Sequence, residues 1–295
     1  MTHLPFAITA YFFNALAVLA SKFLLKKVVP DPLVYTFYIS LLSLAVILAL
    51  PFTKIPTLEV LMLASMSTVL WTLGAYFMYK ALKLGQVSRV IPIIGTLIPL
   101  ILLLQAAGTN AISGTQALAV LVLILGMVFL TLTDWRGNLN KWEIIFEILS
   151  AIFFAVSYII LRQAYLKLDF FSVLVWSRPV LVPFCLAFLL IPALRSKIIF
   201  REKLKINFLS FGGILFLGGQ TSGVISELLI LFSISLANPA LVNSLQGTQY
   251  IFLFAFALLL GKKFPAIFEE KYTFLAIITK ICGIAAIGLG LYLLT

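Results

Sequence analysis

The feature that most constrains this chain is a series of long apolar stretches separated by short polar loops. Each stretch has about 20 residues, the length at which an α-helix crosses a bilayer core about 30 Å thick. The stretches are continuously apolar instead of alternating, so they indicate helices and not the strands of a membrane barrel. The sequence predicts ten transmembrane helices, called spans 1 to 10 below, at residues 5–25, 33–52, 58–82, 90–107, 112–133, 144–164, 171–192, 208–235, 239–260 and 273–294.

Composition agrees with a protein that is surrounded by lipid. Of the 295 residues, 63% are hydrophobic and 11% are charged, whereas a soluble domain is about half apolar and a quarter charged. The predicted fold class is therefore all-α integral membrane, and we expect a multi-pass protein of the cytoplasmic (cell) membrane. The net charge of +11 falls in short loops at a membrane face, so we expect the lipid bilayer as partner and no nucleic acid.

Basic residues are distributed unevenly between the two sets of loops. All of the 21 lysines and arginines lie in or beside the loops that follow odd-numbered spans, except Lys54, Arg162, Lys167 and Arg178. Cytoplasmic loops of membrane proteins are enriched in basic residues. The odd-numbered loops are therefore predicted to be cytoplasmic, and both termini external.

The two halves of the chain resemble each other. Phe12-Phe13 recurs as Phe153-Phe154 after 141 residues, and Gly95-Thr96 recurs as Gly247-Thr248 after 152 residues. These matches and others occur in the same order along both halves. The sequence thus indicates an internal duplication.

The duplication places five predicted spans in residues 1–137 and five in residues 138–295. An odd number of spans turns the second half upside down relative to the first. We therefore predict two inverted five-helix repeats, a recurrent plan of transporters in which the solute binds between the repeats near the membrane midplane. A duplicated bundle without a transport role is the alternative.

The segment YKALKLGQVSRVIPIIGTLIPLILLL, residues 79–104, resembles the helix 3–4 signature of EamA-type members of the drug/metabolite transporter superfamily. That signature consists of an Ala-Leu pair, a short polar turn and a Pro-rich helix of small residues. Residues 232–264 repeat it, and residues 280–294, KICGIAAIGLGLYLL, look like the Gly-rich closing helix of the family. The resemblance extends over essentially the whole chain, including the five-plus-five plan.

The chain departs from this family at one feature. EamA-type proteins often carry Gly-Glu at the ends of helices 4 and 9, where this sequence has Gly108-Thr109 and Gly261-Lys262. A role of that glutamate is therefore not carried over. The resemblance implies a carrier of metabolites or drugs and leaves the solute open.

Glu227 in span 8 is the acidic residue placed farthest from any predicted helix end. A carboxylate near the bilayer centre costs about 2.5–3.5 kcal/mol to insert and needs a partner or a water-filled cavity. Gln220 and Glu227 share one helical face by their spacing. We expect Glu227 to bind a cationic group or a coupling proton; a protonated structural glutamate bonded to a neighbouring helix is the alternative.

Polar residues in spans 9 and 4 form a second set of candidates. Asn243 and Gln246 lie on one face of span 9, and Thr96 lies in the corresponding part of span 4, between two prolines. Proline removes a backbone donor and frees a carbonyl, which in a membrane must find another partner or line a cavity. These residues are either cavity walls or polar contacts between packed helices.

Three further residues are candidates for contact with a solute. Arg178 in span 7 either holds an anionic group or extends to the membrane interface, and extension is the favoured interpretation. Asn14 in span 1 and Trp71 in span 3 either line the cavity or pack in the bundle.

The function predicted from these features is secondary transport of a small metabolite or drug by alternating access. The sequence has neither a nucleotide-binding loop nor a histidine–carboxylate metal cluster, and His3 is its one histidine. We therefore expect no enzyme activity, no catalytic residue, no cofactor and no metal. The expected partners are a small-molecule solute and, if transport is proton-driven, a coupling proton. The oligomeric state is left open, and a non-transporting scaffold or receptor, or a membrane-embedded lipid-modifying enzyme, is the alternative.

Overall fold

A computed structural model describes residues 2–27, 29–85, 87–109, 112–131, 140–199, 211–260 and 274–294. All regular structure in these ranges is helical. The helices are α1 (His3–Lys27), α2 (Pro32–Ser43), a 3-10 helix (Leu44–Phe52), α3 (Leu58–Leu84), α4 (Val87–Gly108), α5 (Gly114–Thr131), α6 (Lys141–Tyr165), α7 (Phe170–Trp176), α8 (Leu181–Leu190), α9 (Pro192–Ile199), α10 (Phe211–Leu236), α11 (Pro239–Ser244), α12 (Gly247–Leu260) and α13 (Phe274–Leu294).

Among the described residues, eight helical segments are long and apolar enough to cross a membrane. They are His3–Leu25, Pro32–Phe52, Leu58–Leu84, Arg89–Gly108, Lys141–Tyr165, Phe170–Leu190, Gly213–Leu236 and Pro239–Leu259. Two shorter apolar helices, Gly114–Phe129 and Ile278–Leu294, fall in predicted spans 5 and 10. The prediction of an all-α, multi-pass membrane protein is confirmed.

Three predicted spans are not continuous α-helices. Span 2 changes at Leu44 into a 3-10 helix that contains Pro51. Span 7 is interrupted between Trp176 and Leu181, where Pro179 has no backbone N–H to donate. Span 9 is interrupted between α11 and α12.

The interruption in span 9 has a local cause. The side chains of Asn243, Ser244 and Thr248 donate to carbonyls three or four residues earlier in the chain, at 2.9, 2.8 and 2.8 Å. Such bonds compete with the α-helical hydrogen bonds of the backbone. The backbone there closes three-residue turns instead, as from the N–H of Gln246 to the carbonyl of Asn243 at 3.1 Å.

One predicted loop is partly helical, and some predicted features lie outside the described residues. The helix α9 (Pro192–Ile199) occupies the first part of the predicted loop between spans 7 and 8. Outside the described ranges lie the remainder of that loop, residues 132–139 and the Gly261-Lys262 pair.

The bundle is held together by three long helix pairs: α1 with α10, α3 with α6, and α5 with α13. Small residues bring the backbones close, as small residues do at membrane helix contacts. In the first pair, Gly219 faces Ala20, and a Cβ added at Gly223 would lie 3.6 Å from the Cβ of Ala17. In the third pair, a Cβ added at Gly126 would lie 3.0 Å from a backbone oxygen of α13.

Buried hydroxyl groups join α3 to α6. The Ser67 hydroxyl donates to the Ser157 carbonyl at 3.0 Å, and the Ser157 hydroxyl donates to the Ser67 carbonyl at 2.9 Å. The Ser150 hydroxyl donates to the carbonyl of Gly74 at 2.9 Å. These bonds satisfy polar groups that lipid leaves without partners.

Ion pairs join loops to one another at each end of the bundle. At one end, Lys197 after span 7 pairs with Asp31 after span 1 at 3.6 Å. At the other end, Lys54 after span 2 pairs with Asp169 after span 6 at 3.7 Å, and Lys167 pairs with Glu59. Two odd-numbered loops thus meet at one end, called the odd end below, and two even-numbered loops meet at the other, called the even end.

Candidate functional site

A cavity of about 150 Å³ lies in the middle of the bundle. Its walls come from α1, α2, α3, α4, α6, α10, α11 and α12, so both halves of the chain contribute. The lining mixes amide and aromatic side chains with aliphatic ones and one carboxylate. The polar side chains among these need partners or water, because polar side chains are costly within a membrane.

Six of the eight residues singled out in the sequence line this cavity. Glu227 and Gln220 enter from α10, where their spacing puts them on one face. Asn243 and Gln246 come from the interrupted helix of span 9, and the last two are Asn14 of α1 and Trp71 of α3. The structure brings these six together; their role in binding a solute stays a prediction.

Arg178 does not line the cavity but bonds to a residue that does. Its Nη2 donates to Oε1 of Glu227 at 2.9 Å. The side chain of Arg178 is 7% exposed and that of Glu227 is 23% exposed. The favoured interpretation of Arg178 as a side chain that extends to the membrane interface is therefore wrong, because the carboxylate holds it inside the bundle.

The interruption of span 7 puts Arg178 in this position. Arg178 lies in the turn between α7 and α8, directly before Pro179. The N–H of Arg178 donates to Val175 O at 3.2 Å, and the carbonyl of Arg178 accepts from the N–H of Leu181 at 2.9 Å. The backbone is thus satisfied through the turn while the side chain reaches α10.

Amide side chains of the cavity are organised by hydrogen bonds between helices. Asn14 Nδ2 donates to Gln249 Oε1 at 3.2 Å, joining α1 to α12. Gln220 Nε2 donates to the Tyr35 hydroxyl at 2.9 Å, joining α10 to α2. Nε2 of Gln249 is buried and has no hydrogen-bond partner among the described residues.

Aromatic residues that the sequence reasoning did not select complete the walls. Tyr11, Tyr79, Phe154 and Tyr158 line the cavity, and the Tyr11 hydroxyl donates to Val242 O at 3.2 Å. A signal was present for Tyr11, which shares a helical face with Asn14 at a spacing of three. For the others no such signal existed, because aromatic side chains are frequent throughout the apolar spans.

Thr96 is a candidate that the structure does not place in the cavity. Its hydroxyl donates to Pro92 O at 2.8 Å and to Ile93 O at 3.0 Å within its own helix. A threonine hydroxyl within a helix commonly bonds to a carbonyl three or four residues earlier, and this one does so. The structure does not bring Thr96 to the wall of this cavity, and its role in binding a solute stays a prediction.

The neighbouring Gly95 has a structural role at the same place. A side chain there would overlap the hydroxyl of Tyr250. That hydroxyl instead donates to the carbonyl of Ile91 at 2.9 Å. The absence of a Cβ at Gly95 thus lets α12 lie directly against α4 beside the cavity.

Two further acidic residues lie in the protein interior. Glu143 is 1% exposed and Glu147 is 0% exposed, both in the first two turns of α6. Sequence reasoning assigned them to a helix end because they lie close to a polar loop. Their burial depends on coverage by α3 and α4, which sequence spacing does not reveal.

The described part of the chain contains no candidate metal site. No three His, Cys, Asp or Glu residues of these ranges lie close enough together to hold a metal ion. The cavity presents amides and hydroxyls that form hydrogen bonds and aromatic rings, and the Arg178–Glu227 ion pair lies at its wall.

Comparison with known proteins gives information on the fold only. No family model matches the chain, and no curated protein matches its sequence. A solved structure, described only as a crystal structure of a protein, is similar with a TM-score of 0.61 and 15% identity. The similarity covers 96% of this chain and 98% of that one. The chain therefore shares its overall fold with a protein of experimentally determined structure.

Proposed function

We propose that the protein is a secondary transporter that moves a small polar solute across the cell membrane by alternating access. The observation that carries this proposal is the cavity between the two halves of the bundle, where an ion pair, amides and aromatic rings meet at mid-depth. Carriers built from inverted repeats bind their solutes at this place. A purely structural bundle has no need to keep such a polar space among apolar helices.

The helix contacts support two inverted repeats, residues 1–137 and 138–295. If spans 1 to 5 correspond to spans 6 to 10, then α1 corresponds to α6 and α3 to α10. Exchange of the halves converts the contact of α1 with α10 into the contact of α6 with α3, and these are the two most extensive helix pairs. The same exchange maps the pair of α5 and α13 onto itself.

A pair of basic residues supports the same symmetry at finer detail. Lys22 of α1 donates to Leu82 O at 2.6 Å, near the C-terminal end of α3. Arg162 of α6 donates to Ile234 O at 2.8 Å, near the C-terminal end of α10. Leu82 and Ile234 are the residues that the 152-residue offset relates. A cation near the end of the first helix thus binds the same carbonyl position in each half.

The ten-span topology and the EamA-type assignment belong to this proposal. The segregation of odd and even loops at opposite ends is what ten passes require, with α5 and α13 as the short spans. The resemblance of residues 79–104 and 232–264 to the EamA signature agrees with this arrangement. The positively charged odd end then faces the cytoplasm.

Size and polarity of the cavity define the solutes to test. A cavity of about 150 Å³ matches the volume that accommodates a benzene-sized molecule. The Arg178–Glu227 pair compensates its own charge, so the walls favour compact solutes that are neutral or zwitterionic over those with a net charge. Amino acids, nucleobases, small amides and polyols, with organic acids and amines for comparison, form a suitable panel.

The purified protein is reconstituted into proteoliposomes, and the vesicles are loaded with each unlabelled solute in turn. Counterflow is then measured as uptake of the same solute in labelled form. We expect saturable counterflow for one class of the panel. Trp71→Ala should raise the half-saturation concentration about tenfold, which corresponds to about 1.4 kcal/mol of lost contact. Trp142→Ala is the matched control, because Trp142 is an exposed residue at the start of α6.

Equal effects of the two tryptophan variants would remove the cavity as the solute site. Absence of counterflow for every solute, with protein that is folded and inserted, would favour the non-transporting alternative.

A further inference from the structure

The helix α6 presents two carboxylates to the protein interior near the odd end. Glu143 and Glu147 are four residues apart and therefore lie on one face, one turn after the other. Ala151, Phe154 and Tyr158 continue this buried face, and the last two line the central cavity. One face of α6 thus runs from a pair of buried acids to the candidate solute site.

The two carboxylates have different surroundings. Glu143 accepts two bonds from Arg89 of α4, at 2.8 Å from Nε to Oε1 and at 2.7 Å from Nη2 to Oε2. Gly85 makes room for this pair, since a Cβ there would overlap the Glu143 carboxylate. Among the described residues, neither oxygen of Glu147 has a hydrogen-bond partner, and the side chain is fully buried.

The charges around Glu147 leave its own charge uncompensated. On α6 its neighbour is the like-charged Glu143, and α4 contributes Arg89, which is already bound to Glu143. On α3, Lys80 places its ammonium 4.5 Å from the centre of the Phe146 ring. The segments α7 and α11 contain no titratable residue. Helix α10 approaches α6 at the cavity, where Glu227 is held by Arg178.

Burial of an ionised carboxylate without a partner is far more costly than burial of the neutral acid. We infer that Glu147 is a proton-binding site of this protein, which holds a proton in the present conformation. It releases the proton when α6 moves and admits water from the odd end. In that step the carboxyl O–H bond breaks, the bonding electrons stay on the carboxylate, and a water molecule takes up the proton.

The position of Glu147 fits exchange of protons with one side of the membrane. It lies six residues after Lys141, the first residue of α6, which is about 9 Å at 1.5 Å rise per residue. The site has no counterpart in the other half, where the 141-residue offset places Phe6. Protonation therefore distinguishes the odd end from the even end of an otherwise duplicated bundle.

A role in coupling follows for the same residue and rests on the proposed function. Glu227 has its charge compensated by Arg178 and lies in the candidate solute cavity, whereas Glu147 lies outside that cavity. The two acids thus divide the tasks, with Glu227 contacting solute and Glu147 binding the proton. Movement of α6 connects them, since α6 carries Glu147 and also Phe154 and Tyr158 of the cavity wall.

Infrared difference spectroscopy of the full-length protein in lipid tests the proton site without a transport assay. We expect the C=O stretching band of a protonated carboxylic acid at near-neutral pH, with a shift in D₂O. The band should be lost in Glu147→Gln and in Glu147→Met. Both replacements are similar in size to glutamate and remove no hydrogen bond. If one variant does not fold, the other still provides the test. Glu59→Gln is the control, because Glu59 is an exposed glutamate paired with Lys167.

A wild-type spectrum without this band, or a band that persists in the Glu147 variants, would overturn the inference. If a transported solute is found, accumulation driven by a proton gradient should fall in Glu147→Gln to the level without a gradient, while counterflow continues. Retained gradient-driven accumulation in that variant would overturn the coupling role. Loss of the band in a protein that transports nothing would leave the proton site standing and contradict the proposed function.

Discussion

The guanidinium of Arg178 donates from Nη2 to Oε1 of Glu227 across 2.9 Å, and the two residues are 49 positions apart in the sequence. The bond joins a turn that interrupts one transmembrane segment to the middle of another. It also sets a buried charge pair at the wall of the central cavity. Each member is costly within the bundle without the other, because an isolated buried charge loses its solvation.

Removal of either charge should therefore destabilise the protein, and by different amounts. Glu227→Gln leaves the arginine charged, since guanidinium does not lose its proton in proteins, so we expect a loss of roughly 3 kcal/mol. Arg178→Gln leaves a carboxylate that can take up a proton, and we expect a smaller loss. Unfolding temperatures of both variants in detergent measure this order.

The double variant R178Q/E227Q provides the control for this ion pair. It removes both charges, so its stability should recover most of what Glu227→Gln loses. Additive losses in the double variant would mean that the two side chains contribute independently.

Adjacent glycines in α10 provide a test of helix packing. A Cβ added at Gly218 meets nothing within 4 Å among the described atoms, whereas one added at Gly219 overlaps the Cβ of Ala20 in α1. Gly218→Ala should leave stability unchanged or raise it by about 0.5–1 kcal/mol through helix propensity. Gly219→Ala should lower stability by about 1–3 kcal/mol through overpacking. Thermal unfolding that ranks the two variants in the reverse order would contradict the contact of α1 with α10.

The loop between α6 and α7 offers a test in acid. Desolvation raises the pKa of Asp169, but hydrogen bonds from Ser172 and the charge of Lys54 outweigh it and lower the pKa below its usual value. A lowered pKa in the folded state means that this carboxylate stabilises the fold above its unfolded pKa. The contribution is lost as the pH falls through the folded pKa.

Asp169→Asn separates this charge effect from helix capping. Asparagine also caps helices well, so the variant should unfold at a slightly lower temperature than the parent near neutral pH. The difference should disappear in acid, as measured by unfolding at a series of pH values. A difference that is the same at all pH values would assign the effect to capping alone.

Cysteine labelling tests the orientation of the bundle. In a background without Cys185 and Cys282, a cysteine at Ser196 at the odd end should react with a membrane-impermeant reagent only after the cells are opened. A cysteine at Ser113, which is exposed between α4 and α5 at the even end, should react in intact cells. The opposite result would reverse the proposed orientation.

The membrane-spanning architecture could be predicted because the bilayer imposes it directly. Apolar length alone located α3 and α6 to within about three residues at each end. The interruptions could not be located in this way, since they depend on bonds of single side chains, such as that of Asn243 to Pro239 O. Proline at position 179 was a visible signal that the length criterion ignored.

Much of the candidate site was visible in the sequence for a related reason. Polar side chains inside an apolar span must face the bundle interior, and this placed Glu227 and Gln246 around one cavity. The pairing of Glu227 with Arg178 was not predictable, because it requires the position of the turn between α7 and α8 relative to α10. The burial of Glu147 was missed because distance along the chain from a loop does not measure depth beneath neighbouring helices.

The contacts of Lys22 and Arg162 restrict where the chain can bend. Lys22 binds carbonyls on both sides of the end of α3, at Leu82 and Gly85, and Arg162 binds Ile234 and Ser235 at the end of α10. Opening the helical hairpin after α3 or after α10 at its turn would leave these carbonyls without partners in apolar surroundings. The cost would be about 1–3 kcal/mol for each group. We expect bending instead at the turns after Trp176 and Ser244, where the backbone makes mostly three-residue turn bonds in place of α-helical ones. Bending is thus expected beside the central cavity, whereas the helix ends held by Lys22 and Arg162 are expected to stay fixed.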